Sequence, residues 1–150
     1  MISPEDFKNL ADELGTSDNE AHLRTAISRY YYAAFHYVRN QMGQLFDNYL
    51  HNKYIKKIEH SPLQDVLGHT QDDNSQKLSA TLESFHSARK TADYKLQESI
   101  NPNQITLSIL FYNQVVKYWN EIDKTVLKKD GGARIDFKSG RGPAPKTMVH

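Results

Sequence analysis

The chain has no cysteine, which excludes disulfides, thiolate nucleophiles and cysteine metal sites and fits a protein made in a reducing cytosol. Long apolar runs are missing too. Nothing approaches the roughly 20 residues needed to cross a bilayer, and the N-terminal MISPEDFKNL is acidic and interrupted by Pro4, unlike a secretory leader. The expectation is a cytoplasmic protein with no membrane partner. Charge of one sign is also lacking: 19 Lys and Arg stand against 18 Asp and Glu, a formal net charge of +1. No global field draws in nucleic acid, so RNA contact requires a local basic patch. No glycine-rich loop precedes a helix, which argues against ATPase or kinase chemistry.

What is present is aromatic bulk. Nine Tyr, six Phe and one Trp lie within an apolar fraction of 38% over 150 residues, enough to close one core without metal or disulfide staples.

Helical periodicity runs through most of the sequence. Ser3-Pro4 is an N-cap followed by a first-turn proline, and Phe7, Leu10, Ala11 and Leu14 recur at helical spacing before Gly15. Ser17-Asp18-Asn19-Glu20 carries a capping-box pattern and opens the longest stripe, from Leu23 through Ile27, Tyr30, Ala34 and Val38 to about Phe46. Between Asp47 and Asn74 the pattern weakens to a long connection with a short helical turn at 62–67. Leu78, Leu82, Phe85, Ala92 and Leu96 predict a helix over about 74–97 whose apolar stripe has Arg89 in a gap. Asn101-Pro102 repeats the cap-and-proline device, and Ile105, Ile109, Tyr112, Val116, Trp119 and Val126 carry a last helix to about Leu127. The fold class expected is all-α, an antiparallel bundle of four main helices over 1–128. After Lys129, Gly131-Gly132 and the Ser139–Pro145 stretch predict an irregular, Gly/Pro-rich tail over 129–150. With Arg134, Lys138, Arg141 and Lys146 it is either a basic arm or a solvated tail.

Two motifs carry a resemblance. Ser28-Arg29-Tyr30-Tyr31-Tyr32-Ala33-Ala34-Phe35-His36 resembles the S-R-x-Y-Y-A-x-F-H signature, and Arg89-Lys90-Thr91-Ala92-Asp93-Tyr94 the R-x-x-A-D-Y element, of small standalone prokaryotic HEPN (higher eukaryotes and prokaryotes nucleotide-binding) proteins. That resemblance implies a helical bundle that dimerises, often encoded beside a minimal nucleotidyltransferase or within toxin–antitoxin and antiviral systems, and often a metal-independent ribonuclease. The nuclease motif of such relatives is Arg, four to six residues, then His. Counting from Arg89, the positions in question hold Tyr94, Lys95 and Leu96, so the resemblance implies either RNA binding and cleavage with a degenerate motif or a non-catalytic adaptor for a nucleotidyltransferase or another protein.

The candidate catalytic residues are Arg29, His36, His86 and Arg89, because cleavage of RNA needs a base, an acid and cations for the phosphorane, which His and Arg supply without metal. Arg29 and His36 lie seven residues apart, nearly two helical turns, on one side and about 10 Å apart along the axis. They serve chemistry or tie the long helix to its neighbours. Tyr32, Lys90 and Tyr94 are the candidates for RNA or nucleotide contact, although three consecutive tyrosines must face several ways and at least one belongs to the core. His86, Arg89 and Asp93 share one helix face; Arg89–Asp93 is either a structural ion pair or the edge of a phosphate-binding cleft. His51, His60 and His69 lack metal-ligand spacing, so neither a metal centre nor a cofactor is expected.

Overall fold

The structure, a computed structural model, describes residues 1–46 and 61–140. His51, His60, Arg141 and Lys146 lie outside the described residues. No strand occurs among those described. Helix α1 is Pro4–Leu14, α2 is Glu20–Leu45, α3 is Ser61–Gly68, α4 is Asp73–Tyr94 and α5 is Pro102–Glu121. A sixth helix, α6, begins as Lys124–Val126, passes through a π-helical Leu127–Gly131 and ends as Gly132–Lys138. The chain is thus an all-α, multi-helix protein, with six helices among the described residues where four main ones are expected.

Local chemistry sets most boundaries where the sequence puts them. The Asp6 carboxylate accepts from Ser3 N at 2.6 Å, closing the first turn of α1 ahead of Pro4. At α5, Gln104 Oε1 accepts from Asn101 N at 2.6 Å and Asn101 Oδ1 from Asn103 N at 2.9 Å. The opening of α2 differs: Asn19, not Ser17, is the cap, its Oδ1 accepting from Ala21 N at 2.9 Å. Glu20 is thereby free of capping, and its Oε1 accepts instead from Ile100 N at 2.9 Å.

The chain divides into two compact units. The first combines Met1–Tyr37 with Thr81–Val116, and the second takes the described residues within 38–80 and 117–140. In the first unit, Leu23, Ile27, Tyr30 and Tyr31 of α2 are buried, as are Leu82 and Phe85 of α4, Ala11 of α1 and Ile105 and Val115 of α5. Tyr30 is not left with an orphan hydroxyl, because it donates to Asp12 Oδ1 at 2.6 Å. In the second unit, Val38, Met42, Val66, Leu67, Leu78 and Leu127 are fully buried. Ser75 Oγ donates to Leu67 O at 2.7 Å and Ser79 Oγ to Gln64 O at 2.8 Å.

Two expectations about the C-terminal part are corrected. α5 does not reach Leu127; it ends at Glu121, and Asp123 starts a new helix by accepting from Thr125 N at 2.9 Å and Val126 N at 3.3 Å. Nor does an irregular tail begin at residue 129, since the chain stays helical to Lys138; residues 141–150 of the expected tail lie outside the described residues. Gly131 and Gly132, expected to break helix, sit within it at φ −66° and −60°. What position 131 requires is room: a Cβ there would lie 3.1 Å from Leu127 Cδ1 and Val66 Cγ1 and 3.2 Å from Phe46 Cζ. Arg134 is no free arm either, because Nε and Nη2 grip the two Asp65 oxygens at 2.9 and 3.0 Å.

Candidate functional site

Every candidate residue read from the sequence lies in the first unit. The long α2 presents Arg29, Tyr32 and His36 on one side, and α4 presents His86, Arg89 and Asp93 at three- and four-residue intervals. Tyr31, fully buried, links the two sets. Its ring stacks on His86 at 5.2 Å between centroids and meets Tyr32 edge-on at 5.5 Å. Burial pushes the Tyr31 phenol well above its ordinary value, so it is a neutral wall and not a base.

The polar part is a chain of hydrogen bonds that crosses between α2 and α4. Arg29 Nη2 donates to Ser28 Oγ at 3.3 Å, Ser28 Oγ donates to Asp93 Oδ2 at 3.3 Å, and the same Oδ2 accepts from Arg89 Nη1 at 3.2 Å. Arg89 therefore meets the carboxylate directly and Arg29 reaches it only through the Ser28 hydroxyl. At the far end Arg89 Nη2 stands 3.4 Å from His86 Nε2. A guanidinium only donates, so that contact requires an unprotonated Nε2.

Rings enclose both cations. The Arg89 guanidinium lies 5.5 Å from the Tyr32 ring centre, 5.7 Å from Tyr94 and 6.0 Å from Tyr31. Arg29 lies 5.0 Å from Tyr32 and 5.3 Å from Phe7. Arg89 is 9% exposed in its side chain and Asp93 29%. Burial works against the Arg89 charge, but the Asp93 carboxylate and the Tyr32 and Tyr94 phenols outweigh it and hold its pKa above the ordinary value. Its Nε is buried without a hydrogen-bonding partner among the described residues.

His36 joins through its ring, stacking on Phe7 at 5.7 Å and on Tyr32 at 6.1 Å. Tyr94 carries the cluster outward: it is 73% exposed and borders a shallow hollow of about 470 Å³ lined by residues 94–98. The structure thus brings together Arg29, Tyr32, His36, His86, Arg89, Asp93 and Tyr94. Lys90 is exposed and stands outside this network among the described residues. Of the three consecutive tyrosines, Tyr30 and Tyr31 are core, and only Tyr32 is partly open.

Sequence reasoning gave no role to Phe7, Ser28 or Arg24. Ser28 stands in the motif beside Arg29 but is 4% exposed, and nothing in the spacing shows that its hydroxyl bridges to Asp93. Arg24 positions the site from behind. Its Nη1 donates to Ala92 O at 2.9 Å and to Thr91 O and Lys95 O at 3.3 Å, while Nη2 donates to Leu96 O at 3.4 Å and to Glu98 O. Thr91 O also accepts from Lys95 N at 3.0 Å and Lys95 O from Glu98 N at 3.1 Å, so the guanidinium adds its donors where the helical ladder runs out at the end of α4. The helix expected to reach Gln97 therefore ends at Tyr94, with Asp93 and Tyr94 held in its last turn. The i, i+4 pair Glu20–Arg24 was the one available signal.

No group of three or more His, Asp or Glu side chains is placed to hold a metal ion among the described residues. His69 caps α3, with Nδ1 2.9 Å from Asp65 O. No helix among the described residues is long and apolar enough to cross a membrane. No family model, curated protein or solved structure matches the chain.

Proposed function

We propose that the chain is a HEPN-like protein of a prokaryotic toxin–antitoxin or phage-defence system that binds RNA at the Arg29–Asp93–Arg89 cluster. Further parts of the reading are that it works as a homodimer and cleaves RNA without metal. The observation that carries it is the placing of two guanidiniums around one carboxylate, Arg89 directly and Arg29 through Ser28 Oγ, with the half-buried Tyr32 ring beside both. Such a cluster keeps a cationic excess where the chain as a whole has almost none. Phosphate meets the arginines, and an unpaired base stacks on Tyr94 over the hollow at 94–98, a sequence-tolerant contact. For cleavage, Arg89 Nη2 turns from His86 Nε2 to the charge of the phosphorane, which leaves Nε2 as the group able to take the 2′-hydroxyl proton, and His36 is the remaining proton carrier. Tyr32 positions both arginines. Lys90 contributes to RNA contact as a solvent-facing cation.

The test is incubation of purified protein with total RNA and tRNA in EDTA, comparing wild type with folded His86→Ala, His36→Ala and Arg89→Ala variants. Cleavage that survives chelation and is lost in His86→Ala and Arg89→Ala supports a metal-independent ribonuclease. Retardation of RNA without cleavage supports binding alone. A wild type that neither retains nor cuts RNA removes the reading.

One observation favours a second reading. Arg89 is enclosed by three rings and already paired with Asp93, as a brace would be. In that case the protein is a non-catalytic adaptor for a nucleotidyltransferase or another defence-system protein, and Arg89→Ala costs stability while RNA affinity is absent from the outset.

A further inference from the structure

Asp93 is placed oddly for a carboxylate. It is the penultimate residue of α4, at the helix end where the dipole disfavours negative charge. Only the cations of the cluster explain it. One of its oxygens, Oδ2, receives both Ser28 Oγ at 3.3 Å and Arg89 Nη1 at 3.2 Å, and Arg29 Nη2 reaches the same Ser28 hydroxyl at 3.3 Å. A non-bridging phosphate oxygen takes donors of the same kind, and at shorter lengths than the carboxylate achieves here.

We propose that Asp93 holds the place of a phosphate oxygen, and that a phosphodiester binds by exchange, displacing the carboxylate from Ser28 and Arg89. The proposal rests on the RNA reading above and gives it a substrate class, the monoanionic diester of an unpaired strand. The geometry says which partner moves. Arg89 is hemmed by Tyr31, Tyr32 and Tyr94, and Arg29 by Phe7 and Tyr32. Asp93 has a short side chain, is 29% exposed and lies one residue from the end of its helix, so its carboxylate can turn to water while the cations stay. Two guanidiniums against one carboxylate is also the count that suits a ligand of one negative charge. In the resting protein the carboxylate competes with RNA for its own site, which makes Asp93 a positioning and specificity residue.

The experiment uses the full chain and Asp93→Asn, which keeps the shape and removes the charge. Binding of a fluorescein-labelled 12-nucleotide oligouridine is followed by anisotropy in EDTA, and the melting temperature is followed against inorganic phosphate. Exchange predicts that Asp93→Asn binds oligouridine about tenfold tighter than wild type, or more, as a charged competitor is removed. It also predicts that phosphate raises the melting temperature of Asp93→Asn at concentrations that leave wild type unchanged. A variant too unstable to titrate with RNA must still be rescued by phosphate. No rescue overturns the proposal, as does equal or weaker RNA binding by a folded variant; if wild type binds RNA normally in that case, the RNA reading survives. Stabilisation of Asp93→Asn by phosphate with no affinity for oligouridine keeps the exchange, for a free phosphate ligand, and removes the RNA reading. Neither RNA binding nor phosphate stabilisation in either protein removes both.

Discussion

Gly131 and Gly132 offer a comparison in which propensity and packing pull apart. Both sit in α6 with ordinary right-handed dihedrals, so an alanine at either position meets no backbone strain. On helix propensity alone each substitution stabilises by about 0.5–1 kcal/mol. Space separates them. At Gly132 the new methyl meets Phe46 Cε1 at 3.6 Å, an ordinary contact, whereas at Gly131 it meets Leu127, Val66 and Phe46 at 3.1–3.2 Å. Overpacking of a filled core costs about 1–3 kcal/mol, which outweighs the propensity gain. Gly132→Ala is therefore expected to stabilise by about 0.5–1 kcal/mol, and Gly131→Ala to destabilise by up to about 2.5 kcal/mol. Urea denaturation followed by circular dichroism, with equal m-values for the three proteins, measures both. Equal stabilisation by the two alanines would refute the packing account of Gly131 and return this glycine pair to the role of helix breakers.

Two further outcomes follow from the first unit. Arg24→Met keeps the apolar stem and removes the guanidinium from the carbonyls at the end of α4; Arg24 is 11% exposed, and the loss is expected to be about 2–4 kcal/mol, read by calorimetry as a fall in melting temperature of roughly 5–15 °C. A fall under about 2 °C would show that water caps these carbonyls equally well. Asp12 supplies a pH dependence: burial opposes its charge, but hydrogen bonds from Tyr30 and Lys8 win and hold its pKa below the ordinary value. The stability it contributes is present above the ordinary Asp value of about 3.9 and is lost as pH falls through the lower folded value. Asp12→Asn should therefore flatten the acid limb of a stability profile, and an unchanged limb would count against the Asp12 network.

Much of this architecture is readable from the sequence because it is local. Ser3-Pro4, Asn101-Pro102 and the apolar stripes around Leu23–Val38 and Leu78–Ala92 are short-range signals, and the helices follow them. Arg89 standing in its stripe signals in the same way that an ion pair is needed, and Asp93 provides it. The failures are tertiary. Gly131-Gly132 reads as a break, since nothing nearby shows that Phe46 and Val66 require a notch. Leu96 extends a periodic stripe beyond the true helix end because Arg24, about 70 residues away, takes the terminal carbonyls. Within the candidate site, the types and spacings of Arg29, His86 and Arg89 are visible, whereas the Ser28 bridge exists only once two helices lie side by side.

The division of the chain has a consequence for synthesis. Each unit is made of two separated stretches, and residues 81–116 complete the first. A ribosome delivers the amino-terminal part of α2 early, yet its buried tyrosines have no partners from α4 or α5 until more than half of the chain has emerged. Apolar side chains such as Ile27, Tyr30 and Tyr31 wait exposed for that interval, the period in which nascent chains depend most on holding factors. Neither unit is one uninterrupted stretch of chain, and a gene cut at any single point divides at least one of the two cores between its pieces.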